Sequence, residues 1–167
     1  MSANIEIKAR YPDLAKARRI AVELGAEFLD RDHQVDTYFQ VKSGRLKLRE
    51  SSTQGAHLIP YRRPDQSGPK RSDYEIIAVA NPVRIREMLS EILGVAAVVD
   101  KAREIYFLKR TRIHLDDVKG LGTFIEFEAM LAEGESDAEG RGRVDELLDA
   151  FEIAPADLLE GSYAEMT

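Results

Sequence analysis

The chain has 167 residues, enough for one domain with a buried core, and its 24 basic and 30 acidic residues give a net charge of −6. Charged residues make up 32% and hydrophobic residues 44%, an ordinary globular balance without the overall positive charge that indicates nucleic-acid binding. Cysteine is absent, which excludes disulfides, thiolate metal sites and a cysteine nucleophile.

The amino terminus has no basic region followed by an apolar run, so no signal peptide is predicted. No stretch approaches the roughly 18 apolar residues of a membrane span. We therefore expect a cytoplasmic protein without a nucleic-acid or membrane partner, acting as a monomer or homodimer.

The first half of the chain predicts a strand, a helix and further strands. The first strand covers about residues 3–10, and Pro12 and Gly25 mark the two ends of a helix whose apolar residues recur at helical spacing. Further strands are predicted at about 35–42, 45–51, 57–63 and 73–79, separated by turns that contain Gly, Ser or Pro.

The second half repeats this order. A helix begins after Asn81, with Pro82 in its first turn, and ends at Gly94. Strands follow at about 97–109, 110–118 and 123–132, and Ser136 with Glu139 forms the capping box of a third helix. The pattern predicts a single α+β domain over residues 1–167, built from antiparallel strands with a two-half pseudo-repeat.

Several predicted strands place charged side chains on one face. Side chains two residues apart in a strand share a side, so Glu126 and Glu128 point away from Ile125 and Phe127. Similar alternation places the following residues on one face of their strands: Glu6, Lys8, Arg45, Lys47, Arg49, Lys101, Arg103, Arg110, Arg112, His114 and Asp116. A sheet with one hydrated face gives the same pattern, and that alternative stays open for any single strand. If the charged face is interior, the sheet must curl into a barrel with a polar lumen and helices outside.

Adjacent carboxylates on one face repel unless a cation offsets them, while clustered basic residues favour an anion. A metal ion bound to a polyphosphate satisfies both, because Mg²⁺ or Mn²⁺ takes oxygen ligands and Arg and Lys bind phosphate oxygens. The candidate metal ligands are Glu6, Asp116, Glu126 and Glu128. The candidate phosphate-binding residues are Lys8, Lys47, Arg49, Arg63, Lys101, Arg103 and Arg112. Because these cations crowd positive charge, replacing Lys8, Arg49 or Arg103 is expected to leave the stability of the free protein unchanged or to raise it.

Competing motifs are absent. The chain has no Gly-rich loop ending in Gly-Lys-Ser/Thr, no Gly-x-Gly-x-x-Gly and no His-Glu-x-x-His. His33 and His57 are isolated, whereas His114 shares its predicted face with Arg112 and Asp116 and is a candidate proton carrier or phosphate contact.

The ordered motifs resemble the CYTH superfamily, the triphosphate tunnel metalloenzymes. This superfamily contains class IV (CyaB-type) adenylyl cyclases, thiamine triphosphatases and inorganic triphosphatases. The similarity begins at Asn4-Ile5-Glu6-Ile7-Lys8, which corresponds to the entry motif Glu-x-Glu-x-Lys at its second Glu and its Lys. It continues through segments 36–39, 44–50, 61–64, 70–74, 101–103 and 114–118 to the most specific piece, 120–128, and to Ser162-Tyr163. The residues of these motifs are most similar to those of the class IV cyclase group.

The resemblance implies an eight-stranded antiparallel tunnel that holds a triphosphate. By match, Glu6, Asp116, Glu126 and Glu128 face the metal ion, and Lys70 joins the phosphate-facing residues. Lys8, Arg63 and Lys101 are the expected catalytic residues. Asn4 stands where the family usually has its first Glu, and it brings no negative charge to the metal.

Several functions remain open at this stage. The leading hypothesis is a metal-dependent enzyme that converts ATP to cyclic AMP and pyrophosphate. The alternatives are a triphosphatase acting on inorganic triphosphate, thiamine triphosphate or a nucleoside triphosphate, a non-catalytic polyphosphate- or nucleotide-binding module, and a structural protein with one hydrated sheet face.

Overall fold

The computed structural model describes all residues from 1 to 167. It contains ten β-strands and three α-helices, in the order β1 (Ser2–Arg10), α1 (Leu14–Glu23), β2 (Glu27–Phe39), β3 (Arg45–Ser51), β4 (Gly55–Arg62), β5 (Lys70–Tyr74), β6 (Ile77–Val79), α2 (Pro82–Leu93), β7 (Val95–Leu108), β8 (Thr111–Val118), β9 (Gly122–Met130), α3 (Asp137–Ala150) and β10 (Leu158–Leu159). Short 3₁₀ turns cover Pro155–Asp157 and Tyr163–Met166.

Eight of the strands close into an antiparallel barrel. Their order around the barrel is β1-β5-β4-β3-β2-β7-β8-β9, and β9 pairs with β1 to complete the ring. The short strands β6 and β10 pair with β4 and β1 and lie outside this ring. The predicted α+β fold, with an eight-stranded barrel, is confirmed. Segments β1-α1-β2-β3-β4 and β6-α2-β7-β8-β9 share one order of elements, as the pseudo-repeat predicted.

The main hydrophobic core lies outside the barrel, between the sheet and two helices. Ile5 and Ile7 of β1 and Phe127 of β9 point outwards into this core, where they meet residues of α1 and α3 such as Ala17 and Val144. Helix α3 approaches the sheet closely, since a Cβ atom at Gly140 would lie 2.7 Å from side-chain atoms of Ile5 and Leu131. The apolar face of each strand thus serves packing, which leaves its other face to the lumen.

A smaller apolar cluster lies on the inner face of the barrel. Tyr38, Val99, Val118, Phe124 and Tyr163 are all buried within it. The ring of Tyr163, from the carboxyl-terminal 3₁₀ turn, packs against Phe124 with a centroid distance of 4.9 Å and an interplanar angle of 57°. The carboxyl-terminal segment therefore contributes a side chain to the interior of the barrel.

Helix ends agree with the sequence prediction at most positions. Asn81 caps α2, and the predicted Ser136–Glu139 capping box is present at α3. Helix α1 begins at Leu14 rather than at Pro12, and Asp13 caps it, because its carboxylate accepts a hydrogen bond from the amide of Lys16. None of the helices is both long and apolar enough to cross a membrane.

Two strand predictions differ from the structure. Strand β2 begins at Glu27 rather than near residue 35, because its polar first half pairs with β7 across an irregularity between Phe28 and Asp30. The strand predicted at 73–79 is divided into β5 and β6, which pair with different parts of the barrel. This break allows the chain to leave the ring and enter α2.

Candidate active site

A cavity of about 100 Å³ lies inside the barrel. All predicted site residues except Lys70 and Asp116 line it: Glu6, Lys8, Lys47, Arg49, Arg63, Lys101, Arg103, Arg112, Glu126 and Glu128. They come from six strands or strand ends, so only closure of the barrel brings them together. The charged face inferred from alternation is the wall of this cavity.

Strands β1 and β9 place one pair of opposite charges and one pair of like charges side by side. Their register places Lys8 opposite Glu126 and Glu6 opposite Glu128. The Lys8 ammonium lies 3.1 Å from a Glu126 carboxylate oxygen and 3.7 Å from the centroid of the Tyr163 ring. Lys8 is therefore held by both a carboxylate and an aromatic face.

Glu126 and Glu128, which line the cavity, form a cluster with the buried side chain of His114. One ligand atom from each of the three lies within 4.8 Å of the others. The Nδ1 atom of His114 lies 3.1 Å from Oε1 of Glu126 and 3.9 Å from Oε1 of Glu128. The cross-strand pairing of His114 with Glu126 in the β8–β9 register explains this proximity. Sequence alternation placed His114 on the correct face, although the argument from acid pairs did not include it among the metal ligands.

The two carboxylates differ in their electrostatic environment. Burial disfavours the charge on Glu126, but the nearby cations Lys8 and Arg103, with His114, outweigh burial and hold its pKa well below the ordinary value. Burial raises the pKa of Glu128, and the neighbouring Glu126 carboxylate adds to this effect. A cation between the two groups would relieve this repulsion.

The donor set fits a divalent metal ion. Carboxylate oxygens suit Mg²⁺ and Mn²⁺, and an imidazole nitrogen is acceptable to Mn²⁺. Burial and Arg103 lower the pKa of His114, which keeps its ring neutral and able to ligate near neutral pH. Glu126, Glu128 and His114 are thus the residues that could hold the ion.

Arg63 has hydrogen-bond donors that no protein group uses. Its Nη1 atom donates to Oε1 of Glu6 at 2.7 Å, while its buried Nε and Nη2 atoms have no partner. Buried guanidinium donors are costly when unsatisfied. Because Arg63 lines the cavity, these donors are available to an anionic ligand.

Two predicted site residues lie outside the cavity lining. Both oxygens of the buried Asp116 carboxylate accept hydrogen bonds from Arg103 at 2.7 Å, and the Tyr163 hydroxyl donates to one of them at 2.6 Å. The Lys70 ammonium donates to the backbone carbonyls of Gln66, Leu159 and Glu160. In the structure, Asp116 orients Arg103, and Lys70 attaches the carboxyl-terminal segment to β5.

Asn4 and Asp36 are also notable in the lumen. Asn4 lines the cavity with 4% of its surface exposed, and its Oδ1 atom has no hydrogen-bond partner. Asp36 is fully buried and forms ion pairs with three basic side chains of the cavity. The search for pairs of acids in the sequence did not select it, because it has no acidic neighbour two residues away. Its sequence signal was its place in segment 36–39, one of the segments that resemble the CYTH superfamily.

Comparison with known proteins identifies the family. The sequence profile of the CYTH domain matches residues 2–163, nearly the whole chain. The chain belongs to the CYTH domain family. Membership in this family of tunnel metalloenzymes implies a divalent metal ion, which the His114–Glu126–Glu128 cluster fits.

Individual known proteins are similar to the chain over nearly its whole length. A Methanocaldococcus jannaschii protein named "Putative adenylate cyclase" is 26% identical over 171 residues, covering 97% of each chain. A solved structure from Pyrococcus horikoshii superposes with a TM-score of 0.87 at 23% identity, covering 97% of this chain and 98% of that one. A Hippeastrum protein, described as a "putative adenylyl cyclase" that "reveals a dominant" triphosphatase activity, has a TM-score of 0.59 at 18% identity, covering 95% of this chain and 91% of that one.

Proposed function

We propose that this protein is a metal-dependent enzyme that binds the triphosphate group of a small molecule inside its barrel and acts at phosphorus. The observation that carries the proposal is one cavity in which unpaired Arg63 donors and several Lys and Arg side chains face the His114–Glu126–Glu128 cluster. A ligand with several negative charges would bind to the Lys and Arg side chains, and a metal ion bound to that ligand would bind to the carboxylates.

The cationic side chains bind and orient the phosphates in this proposal. Arg63 presents two donors in a fixed plane, and Lys8 presents a compact charge fixed by Glu126 and Tyr163. A metal ion held by Glu126, Glu128 and His114 would supply Lewis-acid neutralisation of charge on the phosphate oxygens. Such positioning and charge neutralisation supply most of the acceleration in phosphoryl chemistry.

Lys101 is suited to exchange a proton near neutral pH. Burial lowers its pKa, Asp36 opposes that effect, and the pKa settles at about 7. A group with a pKa near the working pH is effective both as a general base and as a general acid. We propose Lys101 as the residue that accepts the proton of the attacking hydroxyl group.

The leading reaction is that of an adenylyl cyclase. The ribose 3′-oxygen of ATP attacks the α-phosphorus, its proton passes to the general base, and the bond to the β-phosphate breaks to release pyrophosphate with cyclic AMP. The name of the Methanocaldococcus jannaschii relative supports this choice. A triphosphatase, in which water attacks the terminal phosphorus, is the second candidate, supported by the activity described for the Hippeastrum protein.

A substrate panel tests these functions. The protein is incubated with ATP, thiamine triphosphate or inorganic triphosphate, each with Mg²⁺ or Mn²⁺, and the products are separated. Cyclic AMP with pyrophosphate would identify a cyclase, orthophosphate a triphosphatase, and tight binding without turnover a non-catalytic module. Glu126→Gln serves as the cavity variant, and Glu91→Gln, a change at an exposed acid of α2, serves as the matched control.

A further inference from the structure

Asp36 is a carboxylate buried among the cations of the cavity. It is 0% exposed, and its two oxygens accept hydrogen bonds from Nε and Nη2 of Arg49 at 2.8 and 2.7 Å. Nζ of Lys101 donates to the same carboxylate at 2.9 Å, and Nζ of Lys47 lies 3.7 Å away. One acid therefore joins three basic side chains that line the cavity.

The barrel order explains this convergence. Strand β2 lies between β3 and β7, and its register places Asp36 opposite Arg49 on β3 and Val99 on β7. Arg49 and Lys47 thus approach from one side and Lys101 from the other. Most of the acceptor capacity of the carboxylate is used by these donors, so Asp36 is not free to ligate a metal ion.

Arg49 approaches Asp36 with the edge that carries Nε and Nη2. This fork fixes the plane of the guanidinium, and its remaining donor, Nη1, is left for a ligand in the cavity. The Lys101 ammonium uses one of its three donors on Asp36 in the same way. The carboxylate therefore sets the direction in which the remaining donors point.

We propose that Asp36 is a positioning residue that aligns Arg49, Lys47 and Lys101 for a bound triphosphate. The proposal rests on the proposed triphosphate-binding function. Asp36 does not touch the ligand, and it acts only through the three cations.

The protonation of Lys101 and Lys47 gives a measurable effect of Asp36 that is separate from its effect on the stability of the protein. Lys101 faces Asp36 on β2, Arg49 on β3, Arg103 on its own strand and Asp116 on β8. Burial lowers its pKa to about 7, with Asp36 the largest influence that opposes the decrease. Because Asp36 favours the charged form, its loss would neutralise Lys101 at a lower pH.

Lys47 has a similar environment. It faces Arg49 on its own strand, Asp36 on β2, Glu126 on β9 and Arg103 on β7, and the rings of Tyr38 and Tyr61 lie 5.7 and 5.3 Å from its Nζ atom. Burial and Arg49 lower its pKa to about 8, while Asp36 opposes them. Without the charge of Asp36, Lys47 and Lys101 would lose their protons at a lower pH than they do in the wild type.

Asp36→Asn removes the charge and keeps the shape. Inorganic tripolyphosphate with fixed Mg²⁺ is titrated calorimetrically into wild type and variant at about pH 5.5 and about pH 7. We expect binding to the variant to be at least about tenfold weaker at the higher pH, and the ratio to wild type to be smaller at the lower pH, where both lysines are charged. Equal or tighter binding by a folded variant at the higher pH would overturn the proposal.

Asp32→Asn is the matched control. Asp32 is on the same strand, is 1% exposed and accepts hydrogen bonds from Ser51, Ser52 and Gln34 instead of cations. This variant should bind tripolyphosphate with the wild-type pH dependence. If it reproduced the Asp36→Asn pattern, the effect would come from loss of a buried carboxylate in general, and the positioning role would be refuted.

Asp36→Glu covers the case in which Asp36→Asn does not fold. It keeps the charge but displaces it by one methylene, so affinity should fall at both pH values with an unchanged pH dependence. Wild-type affinity at both pH values would contradict the positioning role. If wild type itself does not bind tripolyphosphate, the proposed function and this inference fail together, whereas normal binding by Asp36 variants refutes this inference alone.

Discussion

Asp116→Asn removes one negative charge from a fully buried carboxylate that accepts two hydrogen bonds from Arg103 and one from Tyr163. The amide keeps the shape of the side chain but leaves the Arg103 guanidinium without its main counter-charge. Breaking a buried pair from one side is costly, because the other charge stays out of water. We therefore expect the variant to fold with a reduced free energy of unfolding.

The magnitude follows from the pKa of Asp116. Burial disfavours its charged form, but Arg103 outweighs burial and lowers the pKa from the ordinary 3.8 to about 2. One pKa unit corresponds to about 1.36 kcal/mol, so the charged form gains about 2 kcal/mol on folding. Loss of one partner of a buried pair typically costs about 3–5 kcal/mol. Because Glu126 remains 3.7 Å from Arg103 and compensates part of its charge, we expect about 2–3 kcal/mol.

The pH dependence has a definite sign. The folded-state pKa lies below the unfolded-state pKa, so the stabilisation by Asp116 is complete above about pH 4 and is lost as the pH falls towards 2. Urea unfolding followed by circular dichroism at pH 7 and at successively lower pH would measure the difference between wild type and Asp116→Asn. That difference should shrink below about pH 4.

Asp117→Asn provides the control, because Asp117 is the next residue on β8, faces outward and is exposed. Its unfolding free energy should stay within about 0.5 kcal/mol of wild type. A cost for Asp116→Asn that is equally small at pH 7, or one that does not change with pH, would refute the assignment of Asp116 as the buried counter-charge of Arg103.

Three further predictions concern side chains that line the cavity and their binding of a metal ion or of phosphate. Glu126→Gln or Glu128→Gln should lower metal-dependent activity by orders of magnitude while the circular dichroism spectrum stays native, and unchanged metal dependence in both would contradict a metal-binding role. Lys8→Met should weaken tripolyphosphate binding by about 1–3 kcal/mol in calorimetry, and normal binding by the folded variant would exclude a phosphate contact. Asn4→Glu should tighten Mn²⁺ binding because it adds a carboxylate to the lumen, and titration curves identical to wild type would place residue 4 beyond reach of the metal ion.

The strand faces could be predicted from the sequence because alternation is a local property. Ile125 and Phe127 reach the outer core while Glu126 and Glu128 reach the lumen, as their spacing indicated. Family motifs added the closure of the barrel, which spacing alone does not determine. The start of β2 was missed because its first residues are mostly polar and pair with β7 across an irregularity.

Ion pairing between neighbouring strands could not be predicted in the same way. The clustering of basic residues in the sequence predicted that the free protein would keep or gain stability on replacement of Lys8, Arg49 or Arg103. The structure pairs these residues with Glu126, Asp36 and Asp116, respectively, so their loss leaves a buried carboxylate without its partner. We now expect such variants to be less stable than the wild type.

The position of β1 in the barrel has a consequence for folding during synthesis. Strand β1 is the first strand of the chain, yet its partners are β5, β9 and β10, which end at residues 74, 130 and 159. Both of its edges therefore stay unpaired until much of the chain has left the ribosome. Contacts of such long sequence separation slow folding and prolong the exposure of strand edges. A nascent chain arrested before β9 cannot close the ring, and the barrel gains Tyr163 in its interior only after that residue has emerged.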